Sequence, residues 1–373
     1  MPVSAALEDL LQTQVGGPAW VRALARVGLL FNAVCQLGLL VAFGVNLDRG
    51  SMDRAAVALF FFLGFFCIMY GLWTRGVCDE AMRRSLVPLL EVARTIETDA
   101  LAPGGLGALY ESAGLRRMRR LDSVMPHLVR MVWWQAPTVA FLLTTLFVVT
   151  GRYPVPHWPE GSHGRDLVEH GTVALHFVLI VFGGRIFLVV CGLHWMSSLC
   201  MDCCLHLLAD RAARAASWTE LVVVVRLHQR LQAGFVSVQG FFAEDLSVMA
   251  RLILFFGLIG ALRIAFGVKD INNIVILTIV YSYIVIVCIA GEMQESAGDE
   301  FHHVICGCPW ESWRAADQGK FHLLLGRTVK PAQVRFRYFG AMKLDTLSTI
   351  FNNMFKYTQV LSASLGGKKW TTE

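Results

Sequence analysis

Long unbroken apolar runs, rather than alternating apolar and polar positions, dominate the chain. A stretch of about 17–25 apolar residues crosses a hydrocarbon core as a helix. Seven such stretches are present: Val27–Leu47, Ala55–Trp73, Met131–Thr150, Val173–Leu199, Met249–Phe266, Ile274–Ala290 and Thr346–Leu365. The first three and the sixth carry no charge. The fourth holds Arg185, the fifth Arg251 and Arg263, and the seventh Lys356.

Composition and charge sharpen this picture. Apolar residues make up 55% of the 373 and charged residues only 16%, against about 25% charged in ordinary globular chains. Mean hydropathy is +0.54. A soluble body of this size, a disordered chain or a coiled coil would need far more polar surface. Glu8 and Asp9 near the start, with no basic stretch before an apolar one, predict no cleavable signal peptide. Lys and Arg collect on the cytoplasmic side of membrane helices. Placing the N-terminus inside puts 22 of them in the inner segments 1–26, 74–130, 200–248 and 291–345, and 7 in the outer ones. The cluster Arg116, Arg117, Arg119 and Arg120 decides the orientation. The expectation is an all-α membrane protein of seven transmembrane helices, N-terminus cytosolic and C-terminus extracellular, the reverse of a G-protein-coupled receptor. All ten cysteines (35, 67, 78, 191, 200, 203, 204, 288, 306 and 308) fall in spans or inner segments, which leaves no extracellular disulfide.

The outer segment 151–172 is rich in Pro, Gly and aromatics and predicts a folded lid. Residues 211–246 mix apolar and basic positions at helical spacing, without a proline. Spans four to six are therefore expected to project into the cytosol and pack there. Three regions follow: 1–199 with spans one to four, 200–345 with the cytosolic projections and spans five and six, and 346–373 with span seven. The paired Gly/Pro-broken spans of inverted-repeat transporters are missing.

Candidate chemistry is sparse. Asn352, Lys356, Gln359 and Ala363 recur at i, i+4, i+7 and i+11, one polar-to-small stripe on span seven. Amide and ammonium groups facing lipid are expensive, so the stripe faces water or protein, as a pore lining or a buried hydrogen-bond seam. Cys200, Cys203, Cys204 and Cys306, Cys308 lack a standard zinc-knuckle spacing, and His302 and His303 do not complete one. No metal site is therefore expected, and no cofactor motif or nucleic-acid-binding pattern is present. An enzyme reading fails on the absence of paired intramembrane carboxylates, phosphate loops and Ser/His/Asp sets; His176 and His194 share one span, 18 residues apart.

The C-terminal third reads GEMQESAGDEFHHVICGCPWESW, then HLLLGRTVKPAQVRF, then LDTLSTIFNNMFKYTQVLSASL. Gly291-Glu292 ending span six, Ser296, Pro309-Trp310, Lys330-Pro331, Gly340, Leu344-Asp345-Thr346 and Tyr357 resemble insect odorant receptors. The upstream VVRLHQRLQAGFVSVQGFFAEDL is similar to that family's His-containing helix leading into span five. The resemblance implies a subunit of a ligand-gated nonselective cation channel in the sensory-neuron plasma membrane. Such subunits form heterotetramers with a common olfactory co-receptor, and span seven lines the pore. The short connection between spans four and five resembles a tuning subunit rather than the co-receptor, which carries a long insertion there. Gustatory receptors of the same superfamily remain the alternative, although the segment Lys356-Tyr357-Thr358-Gln359-Val360 departs from their final-span signature; a transporter or G-protein-coupled receptor is the other. On this resemblance the ligand is a small volatile molecule, bound by apolar burial with about one hydrogen bond. The expected pocket residues are Phe61, Phe65, Phe141, Thr145, His176, Phe177, Ile180, Thr278, Tyr281 and Tyr283. The two tyrosines are the expected trigger, and with about 100° per residue only one of them can face the pocket.

Overall fold

The computed structural model describes residues 3–15, 19–48, 52–102, 112, 114–124, 126–127, 130, 134, 138, 165–265, 271–326, 328–329, 332–337 and 339–365. The fold is built of helices: α1 (Val3–Val15), α2 (Ala19–Asp48), α3 (Met52–Gly76), α4 (Asp79–Leu101), α5 (Arg165–Ala212), α6 (Trp218–Ala265), α7 (Ile271–Cys306), α8 (Ala315–Leu325) and α9 (Leu344–Leu365). Residues 114–124 are also helical. A short antiparallel hairpin, β1 (Arg335–Phe336) with β2 (Gly340–Ala341), precedes α9.

Spans one, two, six and seven lie on α2, α3, α7 and α9, span four on α5, and span five on α6 up to its last described residue. The third expected span lies outside the described residues except for Trp134 and Thr138, both helical. Among the described residues, two stretches are long and apolar enough to cross a membrane: α2 and Leu188–Ala212 within α5. The second is offset toward the C-terminus from the expected Val173–Leu199, and most of it is packed inside the protein. Its apolarity therefore serves a protein core as well as a bilayer.

α5 and α6 have 48 residues each and α7 has 36. A rise of 1.5 Å per residue makes them about 70 and 54 Å long. A hydrocarbon core is about 30 Å thick, so each helix extends well past one face of it. The main core sits in those extensions. It joins the C-terminal half of α5 (Leu199, Cys203, Leu207), the N-terminal half of α6 (Leu221, Leu231, Phe235) and the C-terminal half of α7 (Ala297, Phe301, Ile305). The buried small side chains Ser197, Cys200 and Cys204 let neighbouring backbones approach. Gly234 does the same between α6 and α4, where a Cβ would lie 2.9 Å from Leu89 Cα.

α1 straps onto this core. Val3, Ala6, Leu7, Leu10 and Leu11, at i, i+3, i+4, i+7 and i+8, are all buried against α4 and α5. The Ser4 amide and hydroxyl both donate to the Glu97 carboxylate, and Arg94 pairs with Glu8. Burial raises the Glu97 pKa, with the Ser4 hydrogen bonds opposing the rise.

α2 shows the opposite polarity. Leu30, Val34, Leu37 and Val41 face outward, while Asn32, Gln36 and Asn46 face the protein. Asn32 Nδ2 donates to Phe65 O at 3.1 Å. Water would not favour that inversion; hydrocarbon does.

Candidate functional site

The features that set α9 apart begin on α7. Gly291 lies so close to the hairpin strand that a Cβ would overlap the Met342 carbonyl oxygen. The next turn of α7 then grips the hairpin. Gln294 Nε2, fully buried, donates to Ala332 O at 2.7 Å. Glu295 Oε1 accepts from Gln333 Nε2 at 2.8 Å and from Lys343 Nζ at 2.5 Å. Glu292 Oε2 accepts from Leu344 N at 3.4 Å, which sets a carboxylate at the positive N-terminus of α9. Asp345 adds a second acid in the first turn. From the other side, the Arg337 amide donates to Ser247 Oγ of α6 at 2.7 Å. Gly340, at φ +71°, makes the turn. The hairpin is thus clasped between α6 and α7, and α9 issues from it.

His194 reinforces the clasp from α5. Its Nε2 lies 3.1 Å from Gln239 Nε2, and its ring meets Phe242 of α6 at 5.6 Å and Phe336 of β1 at 6.1 Å. Two helices and the hairpin meet at this buried ring. Sequence reasoning missed it, because a lone histidine in an apolar run carries no spacing signal.

Ile350 of α9 is buried, and Leu347 and Met354 pack against the main core. At about 100° per residue these three share one face with Thr358 and Leu361. Asn352, Lys356, Gln359 and Ala363 fall on the diametrically opposite face, and all four are exposed. Phe351 and Phe355 flank the stripe on one side and Tyr357 and Val360 on the other, all exposed. α9 therefore has an apolar face toward its own bundle, two apolar flanks, and a polar back.

The expected pocket residues divide. Phe65 is 1% exposed and packs with Leu39, Ile68, Leu72 and Ile186, between α2, α3 and α5. Phe177 and Tyr281 are half-buried. Tyr281 packs edge-on against Phe351 of α9, with ring centroids 5.3 Å apart. This joins α7 directly to α9 above the clasp. Phe61, His176, Ile180, Thr278 and Tyr283 lie on α3, α5 and α7, with side chains outside the described set; Phe141 and Thr145 lie outside the described residues altogether. Cys306 Sγ is 3.6 Å from His302 Nε2, but among the described residues no three His, Cys, Asp or Glu side chains gather as a metal site.

No protein-family model and no curated protein matches the chain. Its three-dimensional arrangement does have solved counterparts. The insect olfactory receptor OR5 of Machilis hrabei superposes with a TM-score of 0.59 over 90% of this chain and 87% of its own, at 12% identity. The same receptor in complex with eugenol gives 0.59 over 91% and 88%, at 11% identity. The chain has the insect olfactory-receptor fold. The likeness holds along almost the whole of both chains, so the olfactory-receptor arrangement extends through the N-terminal half, where the sequence motifs are silent.

Proposed function

We propose that this chain is the odorant-binding, tuning subunit of a heteromeric ligand-gated nonselective cation channel in the plasma membrane, opened by small volatile molecules. The observation that carries the reading is the polar back of α9, directed away from the chain's own bundle. Amide and ammonium groups so placed need water or protein opposite them. Several copies of α9 around one axis would supply both, with the apolar flanks packed on neighbours and Asn352, Lys356, Gln359 and Ala363 lining the pore. The aromatic set of α3, α5 and α7 would form the odorant pocket.

The clasp supplies a route from pocket to pore. A ligand shifts a closed–open equilibrium only through its differential affinity for the two states. A small volatile gains at most about 1.5 kcal/mol per heavy atom, and only part of that distinguishes the states. Moving the equilibrium from 1:99 to 99:1 takes about 5.5 kcal/mol. The closed state is therefore only modestly preferred, and little can be lost in transmission. A rigid joint between α7 and α9, made by Tyr281–Phe351 and the Glu292/Glu295 contacts, meets that demand.

The test is co-expression with an olfactory co-receptor and recording against an odorant panel. Eugenol is the first probe, because a receptor of the same fold binds it. Odorant-evoked cation currents that need this chain support the reading. Their absence across the panel, with the chain at the surface, overturns it. A tag at Glu373 reachable only after permeabilisation excludes the channel topology and favours a G-protein-coupled receptor or transporter.

A further inference from the structure

The cations of residues 116–130, Arg117 apart, occupy positions that share one helix face. Residues 114–124, 126, 127, 130, 134 and 138 are all helical. Leu115 and Met118 are buried and Leu121 packs on the main core, which fixes the inward face. Arg117 turns toward the protein and makes a two-pronged contact with Asp202, Nε to Oδ2 at 2.8 Å and Nη2 to Oδ1 at 3.1 Å. The outward positions are Arg116, Arg119, Arg120, Ser123, His127, Arg130 and Trp134, and every one is exposed. They recur in three- and four-residue steps, the spacing of a single helix face.

The far end of that face identifies what it meets. Arg130 immediately precedes the apolar run 131–150, and Trp134, one turn further, is 70% exposed. A tryptophan outside the protein at the mouth of a span sits at headgroup level. The face that meets lipid at Trp134 is therefore the one that carries Arg130, His127, Arg120, Arg119 and Arg116 away from the membrane. Basic clusters just cytoplasmic of a span attract anionic headgroups. Guanidinium groups add two-pronged contacts to phosphate oxygens.

We propose that the exposed face formed by Arg116, Arg119, Arg120 and Arg130 binds anionic phospholipid headgroups of the inner leaflet, fixing the cytosolic core to the membrane surface. The partner is the lipid surface, with phosphoinositides preferred over phosphatidylserine because they carry more phosphate charge per headgroup. The attraction requires span three to cross the membrane and does not require odorant gating. A chain that answers no odorant would still bind these lipids.

The experiment uses the full chain in detergent and in phosphatidylcholine nanodiscs, titrated with phosphatidylinositol 4,5-bisphosphate or phosphatidylserine. Native mass spectrometry counts the lipids retained. The wild-type chain should retain anionic lipid. The variant with all four arginines changed to glutamine should bind at least about tenfold more weakly, since each such cation contributes about fivefold near an anionic surface. The corresponding four-lysine variant should keep most of the binding. An Arg83→Gln/Arg84→Gln variant, which removes as much charge from exposed positions of α4 as Arg120→Gln/Arg130→Gln removes from this face, should be unchanged. Should the four-glutamine variant not fold, Arg120→Gln/Arg130→Gln carries the same comparison. Equal retention by wild type and either glutamine variant overturns the proposal. So does equal affinity for soluble inositol 1,4,5-trisphosphate, which would mark a free-phosphate site instead.

Discussion

At the scale of single residues, two positions are constrained most sharply. Gly291 faces a carbonyl where no side chain fits. Gly291→Ala should force the hairpin off α7, with a cost of about 1–3 kcal/mol, typical of an overpacked contact. A lowered thermal midpoint of the purified chain, with weaker odorant currents, is the expected result; an unchanged midpoint would mean the contact yields freely. The sequence motif marked this glycine, but the reason for it, a strand more than fifty residues away in the chain, appears only in the fold. Lys356 carries a charge on the polar back of α9. Lys356→Ala and Gln359→Ala should alter ion selectivity or block, leaving the odorant concentration dependence almost untouched, as reversal potentials and dose–response curves in the same cells would reveal. Shifted sensitivity with unchanged permeation would put the stripe in the pocket.

At the scale of elements, the joint between α7 and α9 depends on one aromatic pair and one set of carboxylates. A double-mutant cycle on Tyr281→Ala and Phe351→Ala should return a coupling of about 0.5–1.5 kcal/mol, the range for edge-on aromatic pairs. Gating midpoints measured in the four proteins give that number, and strict additivity would show that the pair transmits nothing. The extension of α6 beyond its expected span is linked to pH through His228. It stacks on Phe301 at 4.4 Å, and burial pushes its pKa down to about 4 from an ordinary 6.5. Between those values the unfolded chain binds a proton that the folded one refuses. The folded state is therefore favoured above about pH 6.5 and loses up to about 3 kcal/mol as pH falls toward 4. Thermal melts of the solubilised chain from pH 7.5 to 4.5 should show the decline, and His228→Gln should flatten it. Element types were legible in the sequence because apolar runs of this length admit few structures. The clasp was not: its parts, Ser247, Gln294, Lys343 and the two-residue strands, are individually ordinary and become a unit only through contacts across 38 to 90 positions.

At the scale of the whole molecule, the polar back of α9 faces away from its own bundle and calls for neighbours. Four copies of this chain around one axis would bring four Lys356 ammonium groups together and repel a permeant cation. Cells expressing this chain alone should therefore show little or no odorant-evoked current, and whole-cell recording with and without a co-receptor checks it. Large currents from the lone chain would require Lys356 to turn from the axis. The order in which the chain is made bears on its maturation through α1. This strap is made before its seat, which is built from α4 and the distant end of α5 and is completed about 200 residues later. At 5–20 residues per second, its five apolar side chains stay without their partner for about 10–40 s. During that interval they are a target for chaperones and for mistaken pairing. Docking of α1 must therefore wait for α5, and a bulky fusion placed just ahead of Val3, a residue with no exposed surface, would obstruct that step.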